Sequence, residues 1–175
     1  MRAAVVYESA DANTAAVAAA IGRGLRATDM DVEVEAFDRY GPSRIVDLDL
    51  LVVGAPTREH GLTRHVTYEE APEGEEGRFT GTSPEPGLRD WLEDLPDGAG
   101  RASVAFDTRA HGLKLLTGSA GRAIENKLED AGFQIATPAE SFLVTKEDAL
   151  VDGEEARAEA WAADMGGLLE SVLGK

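Results

Sequence analysis

A chain of 175 residues is long enough to bury one sizeable core, and with 43% hydrophobic and 29% charged residues it carries no apolar run near the roughly 20 residues that cross a bilayer. Zero cysteines exclude disulfides, thiolate catalysis and cysteine-ligated zinc or iron–sulfur centres. A formal net charge of −16 argues against nucleic acid and anionic membranes as partners, since both need a basic footprint.

Arg2 to Tyr7 is a nearly continuous apolar run and predicts a strand buried on both faces. It passes into a polar turn, Glu8 to Thr14, and then a helix from Ala15 to Arg26 with Val17, Ile21 and Leu25 on one stripe. A strand that enters a helix N-terminus through Ser, Asn and Thr side chains is a ready phosphate site, because backbone N–H groups and the helix dipole both favour an anion there. From Asp31 to Phe37, Val32, Val34 and Ala36 alternate with Asp31, Glu33 and Glu35, which predicts a strand at a sheet edge. The connection from Asp38 to Asp47, broken by Gly41-Pro42, leaves room for a helix of a turn or two. Asp49 to Gly54 predicts a third, doubly buried strand.

Pro56 to Pro86 has no clear period and carries the acidic cluster Glu69, Glu70, Glu73, Glu75 and Glu76. Connections of that length are usually functional or disordered, and this one leaves the carboxyl end of the third strand, where open α/β sheets bind ligands. Leu88, Trp91, Leu92 and Leu95 then form a helical face, and Ala102 to Phe106 a fourth buried strand. Ala120, Ile124, Leu128 and Ala131 predict a helix with Ser119 as N-cap and Gly132 as its stop. Phe133 to Thr137 and Ser141 to Thr145 predict a last strand in two pieces around Pro138. Trp161, Met165, Leu168 and Val172 mark a C-terminal helix. Neither a repeat nor a linker interrupts the series, so the expectation is one α/β domain over residues 1–175, its parallel sheet covered on both faces.

Three loops should meet at the carboxyl ends of the central strands. They are Ser9 to Thr14, the stretch Pro56-Thr57-Arg58-Glu59-His60-Gly61, and Asp107-Thr108-Arg109-Ala110-His111-Gly112, the fourth strand being read as ending at Phe106. Signatures of other chemistries are missing. There is no GxSxG elbow, Walker A run, HExxH or post-strand GxGxxG, and His60, His65 and His111 lack metal-ligand spacing, so neither catalytic nor metal residues are expected. Only four of the 17 cationic residues are lysine. Such an acidic surface suits a saline cytoplasm, a protein steered onto a basic partner, or the residue bias of a GC-rich genome. Met1 and Arg2 lead directly into the first strand without a signal-peptide pattern, and the expected location is cytoplasmic.

With these pieces in place, the chain resembles the flavodoxin family along essentially its whole length, and in particular flavodoxin-like proteins of GC-rich prokaryotes. The resemblance rests on VVYES…NT, LLVVGAPT, GLRDWL, FDTR, GSAGRAI and ESFLVT. It implies a three-layer, doubly wound, five-stranded parallel sheet of order 2-1-3-4-5, FMN as cofactor and a role in electron transfer. The family's phosphate loop, roughly Thr/Ser-x-Thr/Ser-Gly-Asn-Thr, falls on Ser9, Ala10, Asp11, Ala12, Asn13 and Thr14. Ser9, Asn13 and Thr14 match. Asp11 would set a carboxylate against the phosphate unless it turns outward as a helix cap, and Ala12 lacks glycine's access to positive φ.

The resemblance further implies that Pro56, Thr57, Arg58, His60 and Gly61 on one side, and Asp107, Thr108, Arg109 and His111 on the other, flank the flavin ring. His60 stands where relatives often carry an aromatic residue, Tyr68, Phe79 and His111 are further stacking candidates, and Trp91 belongs to the core. Arg109 either stabilises negative charge on the reduced ring or pairs with Glu59. Three readings stay open. One is an electron carrier docking a basic redox partner protein; a second is an FMN-dependent oxidoreductase of quinone or protoporphyrinogen type, which the long Pro56–Pro86 segment suits. The third is a flavodoxin-like module that has lost its flavin. The sequence leaves the oligomeric state undetermined.

Overall fold

Each apolar run becomes a strand and each amphipathic stripe a helix. The structure, a computed structural model, describes residues 1–8, 12–57, 64–65, 82–83, 87–110, 119–147 and 149–173. In chain order these form β1 (Arg2–Tyr7), α1 (Ala12–Arg26), β2 (Asp31–Ala36), a 3-10 turn (Pro42–Asp47) and β3 (Leu50–Pro56). After them come β4 (Arg64–His65), β5 (Thr82–Ser83), α2 (Leu88–Glu93), β6 (Ala102–Ala110), α3 (Ala120–Asp130), β7 (Gln134–Ile135), β8 (Glu140–Val144) and α4 (Glu154–Leu173).

The main sheet is parallel, in the order β2-β1-β3-β6-β7, with β8 also paired to β6. β7 lies beside Ala102 and Ser103 and β8 beside Phe106 to Ala110, so the two are consecutive pieces of one fifth strand interrupted around Pro138. Counted that way the order is 2-1-3-4-5, as expected. β2 holds the predicted edge, paired only to β1. The short β4 and β5 form a separate parallel pair within the segment read as lacking a period.

The cores on the two sides of the sheet follow from the strand alternation. Val5, Val52, Val104 and Phe106 pack toward α1 and α4, with Val17, Ile21, Leu25, Ala158, Ala162 and Met165. Ala4, Val6, Leu51, Val53 and Ala105 pack toward the 3-10 turn, α2 and α3, with Ile45, Leu88, Trp91, Ile124 and Leu128. Trp91 is core as predicted, its indole N–H donating to Tyr40 O at 2.6 Å. Ser119 caps α3 by accepting from Arg122 N at 3.2 Å, and Gly132 ends that helix's connection at φ +83°.

Three expectations need correction. α1 begins at Ala12, not Ala15, so Ala12, Asn13 and Thr14 form its first turn instead of a preceding loop. β6 does not stop at Phe106 but runs on to Ala110, because Asp107 to Ala110 find ladder partners in Ser141 to Val144, and Asp107 and Thr108 also face Ala55 and Pro56. On α4 the buried stripe runs through Ala158, Ala162, Met165 and Leu169, whereas Leu168 is 68% exposed. The stripe turns toward alanines because they let α1 approach closely.

Candidate functional site

The parallel order places the carboxyl ends of β1, β3 and β6 side by side, with the N-terminus of α1 beside β1. The adjacent chain reversal between β1 and β3 is the switch point at which open α/β sheets hold ligands. Of the residues expected there, the structure brings together Ala12, Asn13 and Thr14 in α1, Pro56 and Thr57 at the end of β3, and Asp107, Thr108 and Arg109 in β6. Ser9, Ala10, Asp11, Arg58, His60, Gly61 and His111 lie outside the described residues, as do Glu59, Tyr68 and Phe79.

The described members divide by which way the strand turns them. Thr108 faces α1, where its hydroxyl meets the Thr14 hydroxyl at 2.7 Å in a fully buried pair. That contact fixes the first turn of α1 against β6, and the turn carries no acidic residue to offset the positive end of the helix dipole. Asp107 faces the other way, into the start of α3. Its Oδ2 accepts from Ser119 Oγ at 2.7 Å and from Gly121 N at 3.0 Å, while Oδ1 is buried without a partner. Thr57 completes this junction: its N–H donates to Thr108 O at 2.7 Å and its hydroxyl accepts from Ala120 N at 2.9 Å, keeping its own proton to donate.

Arg109 lies two residues beyond Asp107 and so on the same face of β6. It is only 8% exposed, and its Nε and Nη1 are buried without a hydrogen-bond partner. A buried cation with unpaired donors is costly by several kcal/mol unless an acceptor meets it. The structure thus presents two electropositive features at the same end of the sheet, the first turn of α1 and the guanidinium of Arg109. Sheet strands stand about 4.8 Å apart, so β6, two strands from β1, lies roughly 10 Å away. A ligand with an anionic end and a second acceptor-rich end would engage both.

The family described as Flavodoxin matches residues 5–161. The chain belongs to the flavodoxin family. Among solved structures, a flavodoxin from the domain Archaea is 20% identical, covers 97% of this chain and 99% of its own, and superposes with a TM-score of 0.65. Oxidised flavodoxin 2 from Bacillus cereus is 16% identical over 96% and 99% of the two chains, with a TM-score of 0.66. The Flv1 flavodiiron core from Synechocystis sp. PCC6803 is 20% identical, with a TM-score of 0.65, but there 98% of this chain matches only 36% of the larger one. At these identities the likeness is one of fold. No curated protein matches the sequence.

Flavodoxin membership implies a flavin cofactor, typically FMN, and the residues present fit one. The first turn of α1, which carries no acidic residue, suits a terminal phosphate, and the orphaned guanidinium suits the carbonyl and nitrogen acceptors of a flavin ring. Sequence reasoning placed the candidate site at these loops but missed Ser119 and Gly121 as the groups that hold Asp107. It also missed the burial of Glu8, which is 5% exposed just after β1, its N–H donating to Gly54 O at 2.9 Å. Ser119 was visible only as a helix cap, and nothing in the spacing links it to an aspartate 12 residues earlier.

Proposed function

We propose that this flavodoxin-family chain binds FMN and carries electrons between redox proteins. The observation that carries the reading is the unpaired, buried Arg109 guanidinium at the same sheet end as the N-terminus of α1, whose first turn carries no acidic residue. When bound, FMN supplies one- and two-electron redox chemistry that no side chain of this cysteine-free chain offers. Ser9, Ala10, Asp11, Ala12, Asn13 and Thr14 hold the phosphate, the α1 dipole contributing the favourable field. Pro56, Thr57, Arg58, His60 and Gly61 flank the ring on one side. Thr108, Arg109 and His111 flank it on the other, beside Asp107, whose carboxylate is engaged by α3 and whose backbone lies in the ladder with Ser141 of β8.

The net charge of −16 favours a redox partner with a basic docking face, met in a weak and transient encounter. Among the described residues no helix is long and apolar enough to cross a membrane. Titrating the apoprotein with FMN and following the loss of flavin fluorescence tests the cofactor. Saturable one-to-one quenching in the micromolar range or tighter is expected, with riboflavin, which lacks the phosphate, binding more weakly. No quenching at high micromolar FMN would leave only a flavodoxin-like module without flavin. Turnover of a free quinone by the loaded protein in the absence of any protein partner would instead make it an FMN-dependent oxidoreductase.

A further inference from the structure

Arg109 is the most unusual charged group in the described part of the molecule. Arg23, Arg44 and Arg157 all reach carboxylates. Arg109, more deeply buried than any of them, leaves Nε and Nη1 unpaired. Its neighbours on the same face do not relieve it. Asp107 gives its Oδ2 to Ser119 and Gly121, and its Oδ1 is itself without a partner, so the two side chains do not neutralise each other by contact. The start of α3 is held by Asp107 and offers no acceptor to the guanidinium. The backbone cannot compensate, because it is already in register with Leu143 of β8. A guanidinium kept in such a place makes sense when something that gains negative charge binds against it.

Resting on the FMN reading above, we infer that Arg109 is the residue that sets the reduction potential of this site, by stabilising the charge that accumulates on the ring. Reduction of a flavin by two electrons with uptake of one proton leaves one net negative charge on the ring system. The electrons come from the redox partner, or from dithionite in vitro, and the proton from solvent. A positive group at the ring raises affinity for that reduced, charged state more than for the neutral oxidised state, and so raises the midpoint. In a low-dielectric site the effect is large, and here no side chain competes for the two donors.

The test compares wild type with Arg109→Met, Arg109→Gln and Arg109→Lys, in apo form and loaded with FMN. As apoproteins, the Met and Gln variants should be at least as stable to urea as wild type, because they remove an uncompensated buried charge. Once loaded, both neutral variants should lose at least tenfold in preference for reduced over oxidised FMN, read as a fall of about 30 mV or more in the two-electron midpoint. Arg109→Lys, which keeps the charge, should retain most of the wild-type midpoint. Neutral variants that bind FMN with the wild-type midpoint would overturn the inference and leave FMN binding intact. Marked destabilisation of the apo variants would overturn it as well, showing Arg109 to be a structural residue. Failure of wild type itself to bind FMN would remove both the inference and the reading beneath it.

Discussion

Glu154 shows how one side chain joins two elements and makes their junction sensitive to pH. At the first turn of α4 it accepts from the Leu143 N–H of β8 at 2.6 Å and from Arg157 Nε and Nη2 at 2.9 and 2.7 Å. Arg157 also donates to Ser141 O at 2.6 Å, pairs with Glu140 and lies over the Phe142 ring, its guanidinium carbon 4.5 Å from the centroid. The Arg157 hydrogen bonds foremost, with the Leu143 N–H and the guanidinium charge, hold Glu154 below the 4.5 of a free glutamate, although its burial acts the other way. A carboxyl with a depressed folded-state pKa contributes stability above its unfolded value and loses it as pH falls through the folded value. Urea unfolding of wild type and Glu154→Gln should therefore differ most near neutral pH. The gap should begin to close below about pH 4.5 and vanish at more acid pH, and a pH-independent gap would mean the charge is not what joins α4 to β8. None of this junction is visible in sequence, since Glu154 and Arg157 read as two more charges on a solvated helix. The same holds for Asp107, Thr108 and Arg109, which look like a loop because the apolar run stops at Phe106. They stay in the strand because β8 and the end of β3 extend beside them, and because Thr14 meets the buried Thr108 hydroxyl while Ser119 and Gly121 donate to Asp107 Oδ2.

Between helices the decisive quantity is distance, and glycine marks where it is least. A Cβ added to Gly24 in α1 would come within 2.1 Å of Glu159 O and 2.8 Å of Ala162 Cβ in α4, so the two backbones meet there without side chains between them. Gly167, on the exposed side of α4, has nothing within 4 Å of the same hypothetical atom. Both substitutions to alanine remove the entropic cost of a helical glycine, worth roughly 0.5–1 kcal/mol. Gly167→Ala should keep that gain, whereas Gly24→Ala must push α4 away and should lose about 2 kcal/mol net, the usual scale for overpacking. Paired denaturant titrations measure the two, and equal effects would mean that α1 and α4 do not pack this closely. Apart from the short β4 and β5 and the bounds of α1 and β6, the strand and helix assignments were legible because their periods are clean, even to the split of the last strand around Pro138. The α4 stripe was not, since hydrophobicity favours Leu168 over Ala158 and Ala162. Packing against a glycine-bearing helix selects the smaller residues and leaves Leu168 in water.

Across the molecule the carboxylates outnumber the cations by 33 to 17. The arginine pairs cluster on a few sites: Arg2 among Asp31, Glu33 and Asp47, Arg44 between Glu33 and Glu35, and Arg23 between Glu155 and Glu159. All of these groups are at least about a third exposed, and solvent screens such pairs so that each contributes little. The Arg2 and Arg44 pairs steady β2 at the open edge of the sheet, where a row of Asp31, Glu33 and Glu35 also discourages a second chain from pairing, whereas the Arg23 pairs join α1 to α4. Against them stands repulsion among all the remaining carboxylates. A chain of this length has a radius of gyration of about 16 Å, well inside the Debye length of about 30 Å at 0.01 M salt, so at low ionic strength every carboxylate feels the others. At 1 M salt that length is about 3 Å, which screens the long-range repulsion more completely than the short contacts of the arginine pairs. Repulsion should therefore govern, and stability should climb steadily between these limits, by about 2 kcal/mol or roughly 5 °C in melting temperature. Sodium and potassium chloride should act alike, because the effect is screening. Calorimetry across the salt series measures it directly: a melting temperature that falls with salt would assign the net electrostatic stability to the arginine pairs, and would leave the acidic surface to be explained by its partner alone.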